Sequence, residues 1–253
     1  MEFARYPSLA DRVVFVTGGG SGIGAAMVAA FAGNDARVAF VDIDAASSDA
    51  LVAELDGCRH PPLFIACDLT DIAALRAAIT QVHVQLGPVA VLVNNAANDE
   101  RHDVDAVTPD YWDRAMAMNL RHQFFAAQAV RPHMKALGHG SIINFSSIAW
   151  MGGGVRMVAY TSAKAAVVGM TRSLAREFGG DDIRVNAIAP GAVITERQRR
   201  LWLSQVDVDE IVRRQCLNAP LLADEIARTA LFLAADDSRM ITKQCIVVDA
   251  GLR

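Results

Sequence analysis

The sequence contains the glycine-rich stretch Thr17-Gly18-Gly19-Gly20-Ser21-Gly22-Ile23-Gly24, which lies between the apolar run Val13–Thr17 and a segment with helical spacing, Ile23–Gly33. Glycines at such a strand-to-helix turn permit a tight bend, a close approach of the backbone to a pyrophosphate and close packing of the helix on the sheet. The start of the helix adds free N–H groups and the positive end of the helix dipole, which both favour phosphate. The stretch therefore predicts a dinucleotide-binding site.

Asp42 ends the second apolar run, 18 residues after Gly24. At this place a carboxylate can accept hydrogen bonds from ribose hydroxyls, and it repels a 2′-phosphate. No Arg or Lys lies in the glycine loop or at positions 43–48 to offset that repulsion. The sequence therefore favours NAD over NADP as the cofactor.

Short runs rich in Val, Ile and Phe alternate along the chain with longer segments of helical periodicity. The runs are Val13–Thr17, Val38–Asp42, Leu63–Cys67, Val89–Asn94, Ser141–Ser146, Arg184–Ala189 and Cys245–Val248. Strands that are apolar throughout are typical of a parallel sheet covered on both faces. The alternation predicts a Rossmann-like α/β fold, a doubly wound sheet of about seven parallel strands with helices on both faces. We expect one domain over residues 1–253, because no linker, repeat or low-complexity tract interrupts the pattern.

The segment Thr195–Ala219 fits this alternation poorly. It is long, it carries Trp202 and several arginines, and it lies between the sixth and seventh strands. Insertions of this length in compact domains are often binding lids, although a surface helical hairpin is the alternative. We expect a substrate lid at about 195–219.

The composition argues against several classes of function. With 24 basic and 28 acidic residues the net charge is −4, so a nucleic-acid-binding face is not expected. The 4 cysteines and 6 histidines are scattered without the spacing of a zinc site, so we expect reduced thiols and no metal. The apolar run after Arg12 is too short for a signal peptide, and the stretch 18–34 is too short to span a membrane. A soluble, cytoplasmic protein is the expectation.

Tyr160 and Lys164 lie four residues apart, so on a helix they share one face. An ammonium near a phenol stabilises the phenolate, which predicts a tyrosine pKa lowered toward neutrality, where a general base is useful. Ser147 stands thirteen residues before Tyr160, just past the fifth strand, and its hydroxyl could polarise a carbonyl or an alkoxide. Taken alone, the Tyr–Lys spacing is also common for a solvated tyrosine beside a surface lysine.

Together the motifs resemble those of the short-chain dehydrogenase/reductases over essentially the whole chain. They are the glycine stretch, Asp42, Cys67-Asp68-Leu69, Asn94-Asn95-Ala96-Ala97, Asn119, Ser147, Tyr160-x-x-x-Lys164 and Pro190-Gly191. Ala97, Lys243 and Ala250 depart from the pattern, because the family usually has glycine at these three positions. The resemblance implies a nicotinamide-dependent dehydrogenase and a homotetramer, with the apolar stretches Ala230–Ala235 and Cys245–Val248 as the expected contact surface.

The resemblance also implies roles for individual residues. Tyr160 would be the catalytic acid/base, and Lys164 would hold the nicotinamide ribose and lower the tyrosine pKa. Ser147 would orient the reacting oxygen, and Asn119 would anchor a water that links Lys164 to solvent. The cofactor-binding residues would be Gly18, Ser21, Gly22, Ile23, Gly24, Asp42, Ile43, Asp68, Leu69, Asn95, Ala96, Tyr160, Lys164, Pro190, Gly191, Val193 and Thr195. In this set, Asp68 and Leu69 would flank the adenine.

Several loops are similar, more narrowly, to those of the NAD-dependent aldose 1-dehydrogenases, among them Asn98-Asp99-Glu100-Arg101-His102 and Thr195-Glu196-Arg197-Gln198. This similarity implies oxidation of the anomeric hydroxyl of a free monosaccharide to the aldonolactone. Sugar recognition needs planar polar groups and an aromatic face against the C–H side of the ring. The candidate substrate residues are Asn98, Asp99, Arg101, Ser147, Trp150, Tyr160, Gln198 and Trp202. The loop Asp and Arg could equally be solvated, and the tryptophans could be core or subunit contacts.

Two other functions stay open. A dehydrogenase or reductase of a polyol, a 3-oxoacyl thioester or a ketone would share every catalytic residue, although such reductases are expected to prefer NADPH and to carry a basic residue near Gly18–Gly24. A non-catalytic, nucleotide-binding regulatory protein would keep the fold without the chemistry. The intact set of Asn119, Ser147, Tyr160 and Lys164 argues against it.

Overall fold

Seven parallel strands form one sheet in the computed structural model, which describes residues 4–253. Their order across the sheet is β3-β2-β1-β4-β5-β6-β7. The strands are β1 Val13–Thr17, β2 Arg37–Asp42, β3 Leu63–Ala66, β4 Val89–Asn94, β5 Gly140–Phe145, β6 Ile183–Pro190 and β7 Cys245–Val248. The predicted fold class and strands are confirmed, because each predicted run matches an observed strand to within one residue at either end.

α-Helices connect the strands and cover both faces of the sheet. They are α1 Gly22–Ala32, α2 Ala45–Glu54, α3 Ile72–Leu86, α4 Pro109–Met116, α5 His122–Leu137, α6 Ala149–Gly152, α7 Val158–Phe178, α8 Glu196–Leu201, α9 Gln205–Arg214 and α10 Ala223–Ala234. Capping side chains fix where several of them begin. The Asp71 carboxylate accepts hydrogen bonds from the amides of Ala73 and Ala74 at the start of α3.

Two hydrophobic cores lie on opposite faces of the sheet. On one face α1 and α10 pack on the strands, with Met27, Phe31 and Leu231 fully buried. On the other face α3, α5 and α7 do the same, with Leu75 and Met134 fully buried. Full burial of one such side chain contributes about 1.5–3 kcal/mol to stability, so the two cores fix the helices firmly against the sheet.

The strand order places a crevice at the carboxyl ends of β1 and β4. The chain leaves β1 toward β2 and β3 on one side, whereas β4 and the later strands lie on the other side. In open α/β sheets such a reversal of strand order leaves a gap between the connecting segments, where ligands bind. The loops after β1, β4, β5 and β6 all open onto this edge.

The segment 195–219 contains α8 and α9, so it forms two short helices between β6 and α10. Most of the predicted contact stretch Ala230–Ala235 is buried within the chain's own core, whereas Phe232 and strand β7, its other part, are only partly buried. The contact surface stays a prediction. None of the helices within residues 4–253 has both the length and the apolar character that crossing a membrane requires.

Lys243 and Ala250, two positions near the C-terminus where the family usually has glycine, have a left-handed backbone conformation. Their φ values are 66° and 55°, a region that glycine enters without steric cost and other residues enter rarely. The glycine that the family usually has at each position therefore has a physical reason. This chain accepts a local strain at both places.

Candidate active site

A cavity of about 680 Å³ opens at the carboxyl edge of the sheet. All the predicted cofactor residues except Asp68 line it, together with Ser147. Asn98, Asp99, Arg101 and Gln198 from the predicted substrate set line it as well. Three further predicted residues, Asn119, Trp150 and Trp202, are not part of its wall within the described chain. Its size is within the usual range for a small-molecule or cofactor pocket.

The glycine loop brings backbone to the floor of the cavity. Gly18 and Gly22 have φ values of +66° and +55°, and both line the cavity. A Cβ at Gly24 would lie 1.8 Å from the Gly18 carbonyl oxygen, so only glycine lets α1 approach the turn this closely. The Ser21 side chain makes no capping hydrogen bond, so it leaves the first amides of α1 to the cavity. This arrangement suits a phosphate group.

Asp42 lies beside the glycine loop at the end of β2. Its Oδ2 accepts a hydrogen bond from the Gly20 amide at 2.9 Å, and its Oδ1 accepts one from the Asp44 amide at 3.0 Å. The basic residues that line the cavity are Arg101, Lys164 and Arg197, which come from the β4, β5 and β6 side of the site. The β2 end of the cavity is therefore lined by a carboxylate and by no cation of the described chain.

Asn95 and Thr17 tie the ends of β1 and β4 together. The Asn95 amide nitrogen donates to the carbonyl oxygens of Thr17 and Gly18, at 3.1 and 2.9 Å. The Thr17 hydroxyl accepts from the backbone amides of Asn95 and Ala96. These bonds hold the glycine loop in place, so the side-chain amide of Asn95 serves the fold.

The two serines after β5 are in different surroundings. The buried Ser146 hydroxyl donates to the Lys164 carbonyl oxygen at 2.7 Å and accepts from the Trp150 indole N–H at 3.1 Å. The half-buried Ser147 hydroxyl accepts from the Ala149 amide and acts on the Tyr160 phenol through a hydrogen bond. Ser147 is thus the serine placed to act on a reacting oxygen. Trp150 uses its polar atom within the protein.

Tyr160 and Lys164 lie one turn apart on α7, as the spacing predicted, but the predicted pKa shift is wrong. Burial raises the pKa of the Tyr160 phenol to about 12, and the hydrogen bond with Ser147 opposes this rise. The Lys164 ammonium nitrogen donates to the Phe145 carbonyl oxygen at 2.8 Å and lies 5.6 Å from the tyrosine ring centre. Burial also lowers the pKa of Lys164 to about 7. For both groups, the loss of water on burial has a larger effect on the pKa than the attraction between an ammonium and a phenolate.

Asn119 lies behind the cavity in the π-helical turn Ala117–Arg121. Its side chain donates to the Ala115 carbonyl oxygen at 3.0 Å and accepts from the Asn98 amide at 2.9 Å. Next along the chain, His122 is fully buried, and its Nε2 lies 3.2 Å from the Ala96 carbonyl oxygen. Burial, and then the charge of Lys164, lower the pKa of His122 to about 3. The imidazole is therefore neutral at physiological pH, and it ties α5 to the loop after β4.

The polar residues of the loop after β4 are paired with α8. The Arg197 guanidinium lies 2.5 Å from Asp99 Oδ1, and the Gln198 amide donates to Asp99 Oδ2 at 2.8 Å. The Arg101 guanidinium lies over the Trp202 ring, 5.4 Å from its centre. Trp202 is 37% exposed and is not part of the described cavity wall, whereas Arg101, which lies over its ring, is.

Sequence reasoning missed several residues of the cavity wall. Arg197 was not among the predicted site residues, and the apolar side chains of Leu203, Ile211 and Leu252 also line the cavity. An aspartate in a loop gives no signal of a basic partner, because it could equally be solvated. Nothing in the sequence places Leu252, the next-to-last residue, in the wall of the cavity.

The chain is similar in sequence to several known proteins. A sequence profile described as enoyl-(acyl carrier protein) reductase matches residues 18–253. The chain is 52% identical over 250 residues to a protein of Rhizobium meliloti (strain 1021) named "Probable galactose dehydrogenase GalD", covering 98% of each chain. It is 47% identical over 253 residues to the D-xylose 1-dehydrogenase of Caulobacter vibrioides (strain NA1000 / CB15N), covering 100% of each.

A solved structure has the same fold. It is the crystal structure of a blue fluorescent protein from a metagenomic library in complex with NADPH. The two chains superpose with a TM-score of 0.89 at 37% sequence identity, covering 97% of this chain and 99% of the other.

Proposed function

Since the chain belongs to the short-chain dehydrogenase/reductase family, we propose that it oxidises the anomeric hydroxyl of a free aldose to the aldonolactone, with NAD as the hydride acceptor. One observation carries the proposal. A single cavity holds Ser147, Tyr160 and Lys164 beside a phosphate-type glycine loop, in a chain about half identical to galactose and D-xylose dehydrogenases over its whole length.

The residues present fit a nicotinamide dinucleotide. The glycine loop and the first amides of α1 would hold the pyrophosphate, and Asp42 would accept hydrogen bonds from the adenosine ribose. A 2′-phosphate at that place would meet the Asp42 carboxylate with no lining cation to neutralise it, which supports NAD over NADP. The related blue fluorescent protein binds NADPH, so NADP is the alternative to be measured. When bound, the nicotinamide ring supplies the acceptor for the hydride that leaves C1.

The chain's own residues would handle the proton. Tyr160 would take the proton of the C1 hydroxyl while Ser147 donates a hydrogen bond to the same oxygen. Because the pKa of Tyr160 is about 12, the phenol holds its proton at neutral pH, and the reaction needs a positive charge that stabilises the phenolate. Lys164, one turn away, is the group of α7 that carries such a charge. We expect the oxidation rate to depend on both groups, because a higher pH favours the Tyr160 phenolate but removes the charge of Lys164, whose pKa is about 7.

The wall of the cavity combines polar and apolar residues. Asn98, Asp99 and Gln198 provide planar polar groups. Leu203 and Leu252 provide apolar surface. This combination suits a sugar, which presents hydroxyls around its edge and C–H groups on its faces. The aromatic face expected from Trp150 or Trp202 is replaced here by aliphatic side chains.

The proposal includes a lid and self-association. The segment 195–219 would close over the substrate, since Arg197, Gln198, Leu203 and Ile211 of this segment already line the cavity. Copies of the chain would associate into a tetramer and use the apolar groove around Phe124, which α4, α5 and α7 form. Phe124 is 39% exposed there. Sedimentation velocity at micromolar concentration tests the association, and a monomer would refute it.

The test of function is NADH formation with a panel of donors, run with NAD and with NADP. The panel contains D-xylose, L-arabinose, D-galactose, D-glucose and L-fucose, with galactitol and a 3-hydroxyacyl thioester as the rival donors. Turnover confined to the aldoses with NAD supports the proposal. Turnover of galactitol or of the thioester with inert aldoses would replace it with the rival dehydrogenase. Tyr160→Phe should lower kcat by a factor of about 100 to 10,000 while NADH still binds. NADH binding with no turnover of any donor would favour a regulatory role.

A further inference from the structure

The loop after β4 and the first turn of α8 meet across the mouth of the cavity. Arg197 contacts two consecutive residues of the loop, since its Nη1 lies 2.5 Å from Asp99 Oδ1 and its Nη2 donates to Asn98 Oδ1 at 3.0 Å. Gln198 donates to the second oxygen of Asp99. The Asp99 side chain is only 14% exposed, whereas that of Arg197 is 40% exposed. The carboxylate is thus enclosed, and α8 supplies donors to both of its oxygens.

Further contacts join the same loop to the elements on either side of it. The backbone amide of Asn98 donates to the side chain of Asn119, which lies in the π-helical turn before α5. Beyond Asp99, the Arg101 guanidinium lies over the ring of Trp202 at the end of α8. Asn98, Asp99 and Arg101 of the loop therefore each contact α8 or Trp202 at its end. Along the loop, the ion pair of Asp99 lies between the other two contacts.

We propose that Arg197 is a positioning residue of the reaction, which holds α8 against the loop after β4 and neutralises the charge of Asp99 beside Tyr160. The kinetic part of this proposal rests on the proposed function, because it needs a substrate that the protein oxidises. The ion pair itself is a feature of the chain that can be tested without substrate.

The charges that face Tyr160 come from three elements. Asp99 and Arg101 lie on the loop after β4, Arg197 lies on α8, and Lys164 lies on α7 itself. Asp99 raises the pKa of Tyr160, whereas Arg101 and Arg197 lower it. Asp99 also raises the pKa of Lys164, against the larger effect of burial.

His122, on α5, faces Lys164 and is neutral, because burial lowers its pKa to about 3. It therefore adds no charge to the site at working pH. Asp99 and Arg197 are paired with each other, so they act on Tyr160 from neighbouring positions with opposite charges. Their effects on the pKa of Tyr160 therefore oppose each other. Loss of either partner should leave the effect of the other uncompensated.

The first test is the pH profile of kcat/KM for the aldose that the wild type oxidises best. Arg197→Gln leaves the Asp99 charge unopposed, so the acidic limb should move to higher pH by about half a pH unit. Asp99→Asn leaves Arg197 unopposed, so the limb should move to lower pH by a similar amount. In the double variant the acidic limb should return close to its wild-type position, even if the absolute kcat/KM is lower. Arg199→Gln, which removes one charge from the same helix outside the cavity, should keep the wild-type profile.

The second test measures the position of α8 without substrate. Limited proteolysis should cut the segment 195–219 several-fold faster in Arg197→Gln than in the wild type or in Arg199→Gln. Equal protection, or limbs that move in the same direction in Asp99→Asn and Arg197→Gln, would overturn the proposal. If the wild type oxidised no aldose, the proposed function would fail, while the proteolysis comparison would still decide whether Arg197 holds α8.

Discussion

His122→Gln should make the protein less sensitive to acid. The imidazole is fully buried, and its pKa falls from an ordinary value near 6.5 to about 3, through burial first and the charge of Lys164 second. Between these two values the unfolded chain binds a proton that the folded chain does not bind. The free energy of unfolding therefore falls as the pH falls from about 6.5 toward 3, because protonation of His122 favours the unfolded chain.

The size of the effect follows from the same two values. Between pH 7 and pH 5 a single histidine with this shift removes roughly 2 kcal/mol from the free energy of unfolding. Carboxyl groups titrate mostly below pH 5, so the change in unfolding free energy over this interval comes mainly from histidines. Glutamine keeps a donor that can reach the Ala96 carbonyl oxygen, and it cannot take up the proton.

The assay is urea unfolding at pH 7, 6 and 5, followed by circular dichroism at one protein concentration. The difference in unfolding free energy between pH 7 and 5 should be about 2 kcal/mol smaller in His122→Gln than in the wild type. The control is His139→Gln. Burial also lowers the pKa of this imidazole, but the residue is exposed, so the variant should keep most of the wild-type dependence. If His122→Gln lost as much stability as the wild type over this interval, the neutral, buried imidazole would not be the cause.

The other predictions concern two glycines of this chain and two positions where the family usually has glycine. Gly24→Ala places a Cβ against the Gly18 carbonyl oxygen, so we expect a loss of about 3 kcal/mol in stability and weaker NADH binding, measured by unfolding and by fluorescence titration. Gly169→Ala, on an exposed and open position of α7, is the matched control and should stabilise the protein by about 1 kcal/mol. Lys243→Gly and Ala250→Gly relieve positive φ values, and each should raise the unfolding free energy by about 0.5–1 kcal/mol. Unchanged or lower stability in both would show that these backbones carry no strain.

The fold and the cofactor end were predictable because backbone chemistry determines them. A strand covered on both faces must be apolar throughout, and Val89–Asn94 is fully buried as its composition predicted. The turn after β1 needs residues without a side chain, and a Cβ at Gly24 would collide with the backbone of Gly18. Such requirements act between residues close in sequence, so the sequence displays them directly.

The substrate end was less predictable because side chains from distant segments build it. Asp99 and Arg197 are 98 positions apart, and their pairing depends on where α8 lies after β6. Trp150 looked like a sugar-stacking residue, but its indole N–H donates to Ser146, one turn earlier in the chain. Contacts of this kind follow from the tertiary structure and have no local signature.

The electrostatics of Tyr160 and Lys164 show why residue spacing alone predicted the wrong pKa. The four-residue spacing placed both groups on one face of α7 correctly, but it gives no information on how much water each group keeps. In the folded chain Lys164 is 1% exposed and donates to the Phe145 carbonyl oxygen, and its pKa falls to about 7 because burial penalises the charged form. A lysine that is partly neutral at pH 7 stabilises the phenolate less than a full charge does. Whatever adds a favourable partner for the ammonium should therefore raise the pKa of Lys164 and, by restoring its charge, lower that of Tyr160 at the same time.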